Sequence, residues 1–163
     1  MTPSLPAPRI AIVVSGFNPE VTDGLLSGAL AQLADHDVPV APDDIIRAPG
    51  AFELPLIAQA LTRTGRYDGV VCLGCVIKGD TAHFEFISLG ASLGLMMAGL
   101  ITETPITFGV LTTYTDEQAL VRSRDDSENK GREASAACHA AITTLRMIRN
   151  AAQPPMMSGA SVP

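Results

Sequence analysis

The stretch GVVCLGCVIKGDTAHF, residues 69–84, decides how the chain is to be read. Its first nine residues are apolar or small, with four β-branched side chains, and they lack the alternation of a half-solvated strand. Such a run fits a strand buried on both faces, the usual condition in a parallel sheet. The next residues, KGDTAHF, join it to a long apolar helical pattern. Gly79 permits a tight turn, and the unpaired amides of the helix start, helped by the helix dipole, form an anion site. Thr81 adds a hydroxyl donor, and Lys78 either helps electrostatically or faces solvent. His83 falls in the first helical turn, where the dipole favours a neutral imidazole able to act as a base.

The Cys72-Leu-Gly-Cys75 spacing raises a metal or redox reading, which the strand context opposes. Residues three apart on a strand point to opposite faces, so the two thiols cannot share a metal or a disulfide. A redox pair would open a helix, and no second Cys or His cluster has zinc-site spacing. The expectation is two small buried hydrophobes and no metal. The Gly-Asp-Thr loop lacks the spacing of a nucleoside triphosphate loop.

Outward from this segment the pattern alternates. Strands are expected at 10–15, 43–50, 67–77 and 105–113, and helices at 21–37, 52–65, 83–104, 116–124 and 129–150. Pro55 is compatible with the second helix only in its first turn. Four buried strands alternating with helices imply a parallel sheet with helices on both sides and right-handed crossovers. Ligands then bind beyond the carboxyl ends of the strands. That rule singles out the loops 15–19, 47–53, 77–83 and 112–116. Phe17 in the first loop either stacks on a planar ring or anchors the core. Glu53 begins a helix after a Pro-Gly turn. Arg122, on the short helix after the fourth strand, carries the fork of donors that holds an anion. His36 and His139 lie in a polar helix end and an alanine-rich helix, where structural roles are expected.

Composition narrows the class. The chain has 163 residues, 47% hydrophobic and 17% charged, which suits one domain with a substantial core. A formal charge of −6 opposes general nucleic-acid binding. The weakly polar run FISLGASLGLMMAGLITETP (86–105) is rich in small and hydroxyl residues, so a buried or subunit-interface helix is expected instead of a membrane span. No secretory signal is visible, and three cysteines fit reduced thiols, so a cytoplasmic location is expected. Residues 1–8 are Pro-rich and residues 151–163 lack charge. They are expected to be a flexible N-terminal arm and a flexible C-terminal tail around a single domain at 9–150.

Taken in order, SGFN (15–18), APGAFELPL (48–56), LGCVIKGDTAHFEFI (73–87), FGVLTT (108–113), DEQALVRS (116–123) and NKGREA (129–134) resemble the lumazine synthase family over roughly residues 9–148. The resemblance implies a flavodoxin-like three-layer α/β/α sandwich with a central four-stranded parallel sheet. It implies a transferase of riboflavin biosynthesis that needs neither metal nor organic cofactor. The reaction condenses 5-amino-6-(D-ribitylamino)uracil with 3,4-dihydroxy-2-butanone 4-phosphate, giving 6,7-dimethyl-8-ribityllumazine, phosphate and water. On the same ground His83 transfers protons and Phe17 stacks on the pyrimidine. Ala51, Phe52 and Glu53 meet the ribityl chain, and Cys75, Val76 and Ile77 line the uracil pocket. Asp80 and Thr81 hold the phosphate with Arg122. Phe108 and Arg122 reach the site from a neighbouring subunit, with Lys130 near the same polar edge.

The implied assembly is a homopentamer, in some relatives packed into an icosahedral capsid of sixty subunits, with riboflavin synthase as a further partner and no role for nucleic acid or membrane. The chain departs from the family pattern at Gly16, Asp80, Ala82 and Lys78. A non-catalytic lumazine- or flavin-binding or shell-forming paralogue, and a riboflavin synthase of the same fold, are the competing readings. A receiver-type signalling module would need an acceptor aspartate, but the strand ends carry Ser15, Pro49, Lys78 and Thr113.

Overall fold

The computed structural model describes residues 6–152. Strands β1 (Ile10–Ser15), β2 (Ile45–Ala48), β3 (Gly69–Ile77) and β4 (Ile106–Thr113) form one sheet in the order β2-β1-β3-β4. Every pairing is parallel, as the expected architecture requires. Helices α1 (Pro19–Ala34), α4 (Asp116–Arg122) and α5 (Lys130–Ala151) carry the apolar residues that meet one face of the sheet. Helices α2 (Leu54–Arg63) and α3 (His83–Thr102) cover the other.

The period-two geometry of β1 divides its side chains between the two layers. Ile10, Ile12 and Val14 enter the core with α1 and α5, while Ala11 and Val13 enter the core with α2 and α3. Likewise Cys75 belongs to the first core and Cys72 to the second, so the two thiols point apart across the sheet. All three cysteines are free and buried. Among the described residues, no group of three or more His, Cys, Asp or Glu side chains is gathered as a metal site would need.

The expectation of strands buried on both faces holds for β1 and for most of β3, but not for the edges. In β2 only Ala48 is buried, and Phe108 on β4 is 43% exposed. An edge strand has one neighbour instead of two, so hydrophobic content alone does not cover it. Helix α1 begins at Pro19, two residues before its apolar pattern, because proline suits the first helical position. Pro55 occupies the first turn of α2, after a short 3-10 turn at Ala51–Glu53.

Helices α1 and α5 approach closely enough to need glycine. A Cβ on Gly131 would lie 1.9 Å from the Leu25 carbonyl oxygen. Beside it, buried Asn129 caps α5: its Oδ1 accepts from the Gly131 and Arg132 amides, and its Nδ2 donates to the carbonyls of Gly24 and Arg124.

Helix α3 contrasts with the rest. Ala91, Leu95 and Ala98 are its buried residues, whereas Phe86, Leu89, Leu93, Met96, Met97 and Leu100 are exposed. By length and composition alone it could cross a bilayer, with 17% of its most apolar stretch buried. Its inner face nevertheless belongs to this domain: a Cβ on Gly94 would lie 2.7 Å from the Pro55 ring.

Of the expected N-terminal arm, Pro6 to Pro8 are described. The Pro6 carbonyl accepts a hydrogen bond from Arg146 on α5, and Pro8 is buried. Residues 1–5 and most of the expected tail, 153–163, lie outside the described residues.

Candidate functional site

Three of the four singled-out loops converge. Phe17 and Asn18 after β1, Gly50–Glu53 after β2, and Cys75–Ile77 at the end of β3 line a cavity of about 400 Å³, with His83 and Ile87 from α3. The strand order explains its place. The connection after β1 runs through α1 to β2 and the one after β3 runs through α3 to β4, in opposite directions on opposite faces of the sheet, and crevices form at that switch point, beyond the carboxyl ends of the strands.

The register leaves backbone available there. The β1–β3 pairing ends at Val14 and Leu73, while β3 runs on to Ile77 paired only with β4. The β1-side edge of residues 74–77 therefore lacks a strand partner. Asn18 takes part of it, donating its side-chain amide to the Cys75 carbonyl at 3.1 Å. Asn18 adopts a left-handed conformation (φ 52°), which asparagine tolerates, and turns the chain into α1.

Two aromatic rings flank the opening. Phe17 is 68% exposed and Phe52 59%. The alternative of Phe17 as a core anchor is thereby excluded. Gly50 leaves little room beside the first ring: a Cβ there would lie 3.1 Å from the Glu53 carboxylate and 3.4 Å from the Phe17 ring, so the Glu53 side chain would have to shift slightly. Gly16 has room for a side chain, since a Cβ would meet only the Ala48 and Pro49 carbonyls at ordinary contact distance. Burial pushes the Cys75 thiol up to about 11, so it meets the cavity as a neutral, weakly polar surface.

The loop Lys78–Ala82 and His83 are exposed at one end of this cavity. His83 opens α3 and lines the cavity, with Ile87 one turn further on. Asp80 and Thr81 do not line it. The Thr81 hydroxyl accepts from the His83 amide at 3.4 Å. Lys78 is engaged elsewhere, its Nζ 2.5 Å from Glu85 Oε1.

The remaining expected residues lie apart. Phe108, Arg122 and Lys130 line a second concavity of about 360 Å³ along β4, which shares no residue with the first. Arg122 donates to its own helix at the Gln118 carbonyl, and Lys130 pairs with Glu133. The Thr107 and Thr113 hydroxyls there are buried without a hydrogen-bond partner. Within one chain, then, the aromatic and histidine half of the expected site is assembled, and the arginine half faces elsewhere. Sequence reasoning did not single out Asn18, Gly50 or Ile87. The Asn-Pro step after a strand was a usable signal for Asn18, because asparagine tolerates the left-handed turn that proline then follows into a helix.

A doubly covered parallel sheet with a cavity at its switch point, edged by two aromatic rings and a free strand edge, defines an α/β protein with a cavity of small-molecule size at its strand ends. A sequence model described as 6,7-dimethyl-8-ribityllumazine synthase matches residues 7–146, and the chain belongs to that family. A relative from Caulobacter vibrioides named 6,7-dimethyl-8-ribityllumazine synthase 1 is 76% identical over 149 residues, covering 91% of this chain and 97% of its own length. A 6,7-dimethyl-8-ribityllumazine synthase from Salinibacter ruber is 46% identical over 129 residues, covering 79% and 83%. One from Lactiplantibacillus plantarum is 44% identical over 143 residues, covering 88% and 90%.

Proposed function

We propose that the chain is a transferase that condenses 5-amino-6-(D-ribitylamino)uracil with 3,4-dihydroxy-2-butanone 4-phosphate to give 6,7-dimethyl-8-ribityllumazine, the penultimate step of riboflavin biosynthesis. The observation that carries the reading is the first cavity, with Phe17, the free β3 edge and His83 on its walls.

A pyrimidinedione presents amide-like donors and acceptors along its rim. The unpaired edge at Cys75–Ile77 offers the complementary groups, and Phe17 covers the ring face. The ribityl chain runs along Ala51–Glu53, where backbone groups and the Glu53 carboxylate accept its hydroxyl protons. The phosphate meets the amides around Asp80 and Thr81 at the start of α3, where the helix dipole favours an anion. The 5-amino group attacks the ketone, and loss of one water gives an imine. A proton leaves the adjacent carbon and phosphate departs from the next. Phosphate loss leaves an enol, which takes up a proton on its terminal carbon and becomes a methyl ketone. The 6-amino nitrogen then closes the ring on this new carbonyl, with loss of a second water. His83 moves the protons at the imine and elimination steps. Holding two substrates in one orientation supplies much of the acceleration, so one acid–base group is enough.

The cation for the phosphate comes from another copy of the chain. Arg122, with Phe108 and Lys130, completes the site from a neighbour in a homopentamer, and a sixty-subunit capsid is compatible with the same contact. The exposed apolar face of α3 supports such packing. A cytoplasmic setting suits its free, buried thiols. Riboflavin synthase, which would consume the product, is the partner to expect.

The test is direct. Purified protein with both substrates should form fluorescent lumazine above the uncatalysed background, with one phosphate released per product. A folded, assembled protein that forms none would leave the non-catalytic binding or shell-forming relative as the better account.

A further inference from the structure

The loop proposed to hold the phosphate has little of its own to keep it in place. A Cβ on Gly79 would touch nothing within 4 Å, and the Thr81–His83 contact, at 3.4 Å, is long. What spans the loop is a contact between its two ends. Lys78, the first residue past β3, reaches over it to Glu85 in the first turn of α3, Nζ to Oε1 2.5 Å. The same Nζ lies 5.6 Å from the Phe84 ring centre and 5.9 Å from that of Tyr114, the residue after β4. Those rings stand 6.1 Å apart with a 37° tilt. The Lys78 amide also donates to the Thr113 carbonyl at 2.9 Å. One ammonium thus draws together the end of β3, the start of α3 and the end of β4.

We infer that Lys78 is a positioning residue for the proposed condensation: clasped by Glu85, Phe84 and Tyr114, it holds the amides of residues 79–82 where the phosphate needs them and does not itself bind the phosphate. The inference rests on the functional reading above. An isolated exposed ion pair contributes little to stability. Here two ring faces limit the freedom of the ammonium, since a cation is drawn to an aromatic face at this range. The pair is neutral overall, so it adds no net charge beside the anion. That leaves the loop amides, the helix dipole and a neighbour's Arg122 to carry the attraction. Each partner also keeps its charge: hydrogen bonding to the other raises the Lys78 ammonium and lowers the Glu85 carboxyl.

The experiment compares Lys78→Met, Glu85→Gln, the double variant and Lys78→Arg, each checked for fold and assembled mass. Kinetics are measured with each substrate varied in turn. Both single losses should raise KM for the butanone phosphate about 5–10-fold and leave KM for the ribitylaminouracil within about twofold. The double variant should be no worse than either single one, and Lys78→Arg should restore most of the affinity. Glu85→Gln with an unchanged or lower KM, beside a raised KM in Lys78→Met, would make Lys78 a direct phosphate ligand and overturn the inference. Unchanged kinetics in both would overturn it too. Wild-type protein without turnover would defeat the functional reading instead. Amide hydrogen exchange at residues 79–82 then tests the clasp alone: faster exchange in both single variants supports it, and unchanged exchange rejects it.

Discussion

Arg9 grips Asp44 through two guanidinium nitrogens, Nε 3.1 Å from Oδ2 and Nη2 2.8 Å from Oδ1. Buried Tyr67 donates its hydroxyl to the same carboxylate at 2.8 Å. The cluster joins the residue before β1, the residue before β2 and the residues before β3, at the end of the sheet opposite the site. Hydrogen bonding to Arg9, opposed by burial and helped by Tyr67, lowers the Asp44 carboxyl.

A carboxyl lowered in the folded state stabilises the fold above its unfolded value and loses that contribution as pH falls through its folded value. Asp44→Asn should therefore cost about 1.5–3 kcal/mol at neutral pH, the range for a hydrogen bond to a charged group. In urea titrations the gap from wild type should stay constant from about pH 5 to 8 and close below about pH 4, near the reference value for aspartate. A gap that widened in acid would contradict the assignment.

The thiols should be inert in the native protein. Burial raises Cys138 to about 12 and Cys75 to about 11, and pushes Cys72 higher still. At pH 8 an aromatic disulfide reagent should label essentially none within minutes, and three per chain once the protein is unfolded. Rapid labelling of the native protein would show that the sheet opens near β3.

Gly131→Ala should be among the most damaging single-methyl additions, because its Cβ would lie 1.9 Å from a backbone oxygen that cannot swing aside. A loss of about 3 kcal/mol is expected, equivalent to a fall in Tm of about 6–12 °C for a chain of this size. Gly16→Ala, with only ordinary contacts, should move Tm by less than about 2 °C. Scanning calorimetry on the two variants separates the cases.

His83→Ala should lower kcat about 100-fold without abolishing turnover, the scale of one acid–base group. Phe17→Ala should instead raise KM for the ribitylaminouracil, with a smaller change in kcat. Undetectable turnover in His83→Ala with normal substrate binding would mean that orientation contributes less than proposed.

Charge on the outer face of α3 should break the proposed homopentamer. Leu93→Asp places a carboxylate among Leu89, Met96, Met97 and Leu100, which are exposed in the single chain. Sedimentation should show a smaller species, and activity should fall with mass if Arg122 acts across the interface. A full-size particle with full activity would place the subunit contact elsewhere.

Much of this protein was legible in the chain itself. The continuous apolar runs of β1 and β3 specify strands buried on both faces, and the glycine-bearing step from β3 to α3 places His83 at the start of the helix beyond β3, because local backbone chemistry acts over a few residues. The same spacing rule separates Cys72 from Cys75. Tertiary structure decided what depends on register and on distant partners. Only the pairing shows that β3 overruns β1 and leaves its edge free at the cavity. Only packing shows Phe17 exposed, α3 apolar on its outer side, and Phe108 and Arg122 on a separate concavity. Asp44 and Tyr67 are 23 residues apart, and Lys78 meets Tyr114 across two elements. Periodicity carries no record of such meetings, because they are set by how the layers close around the sheet.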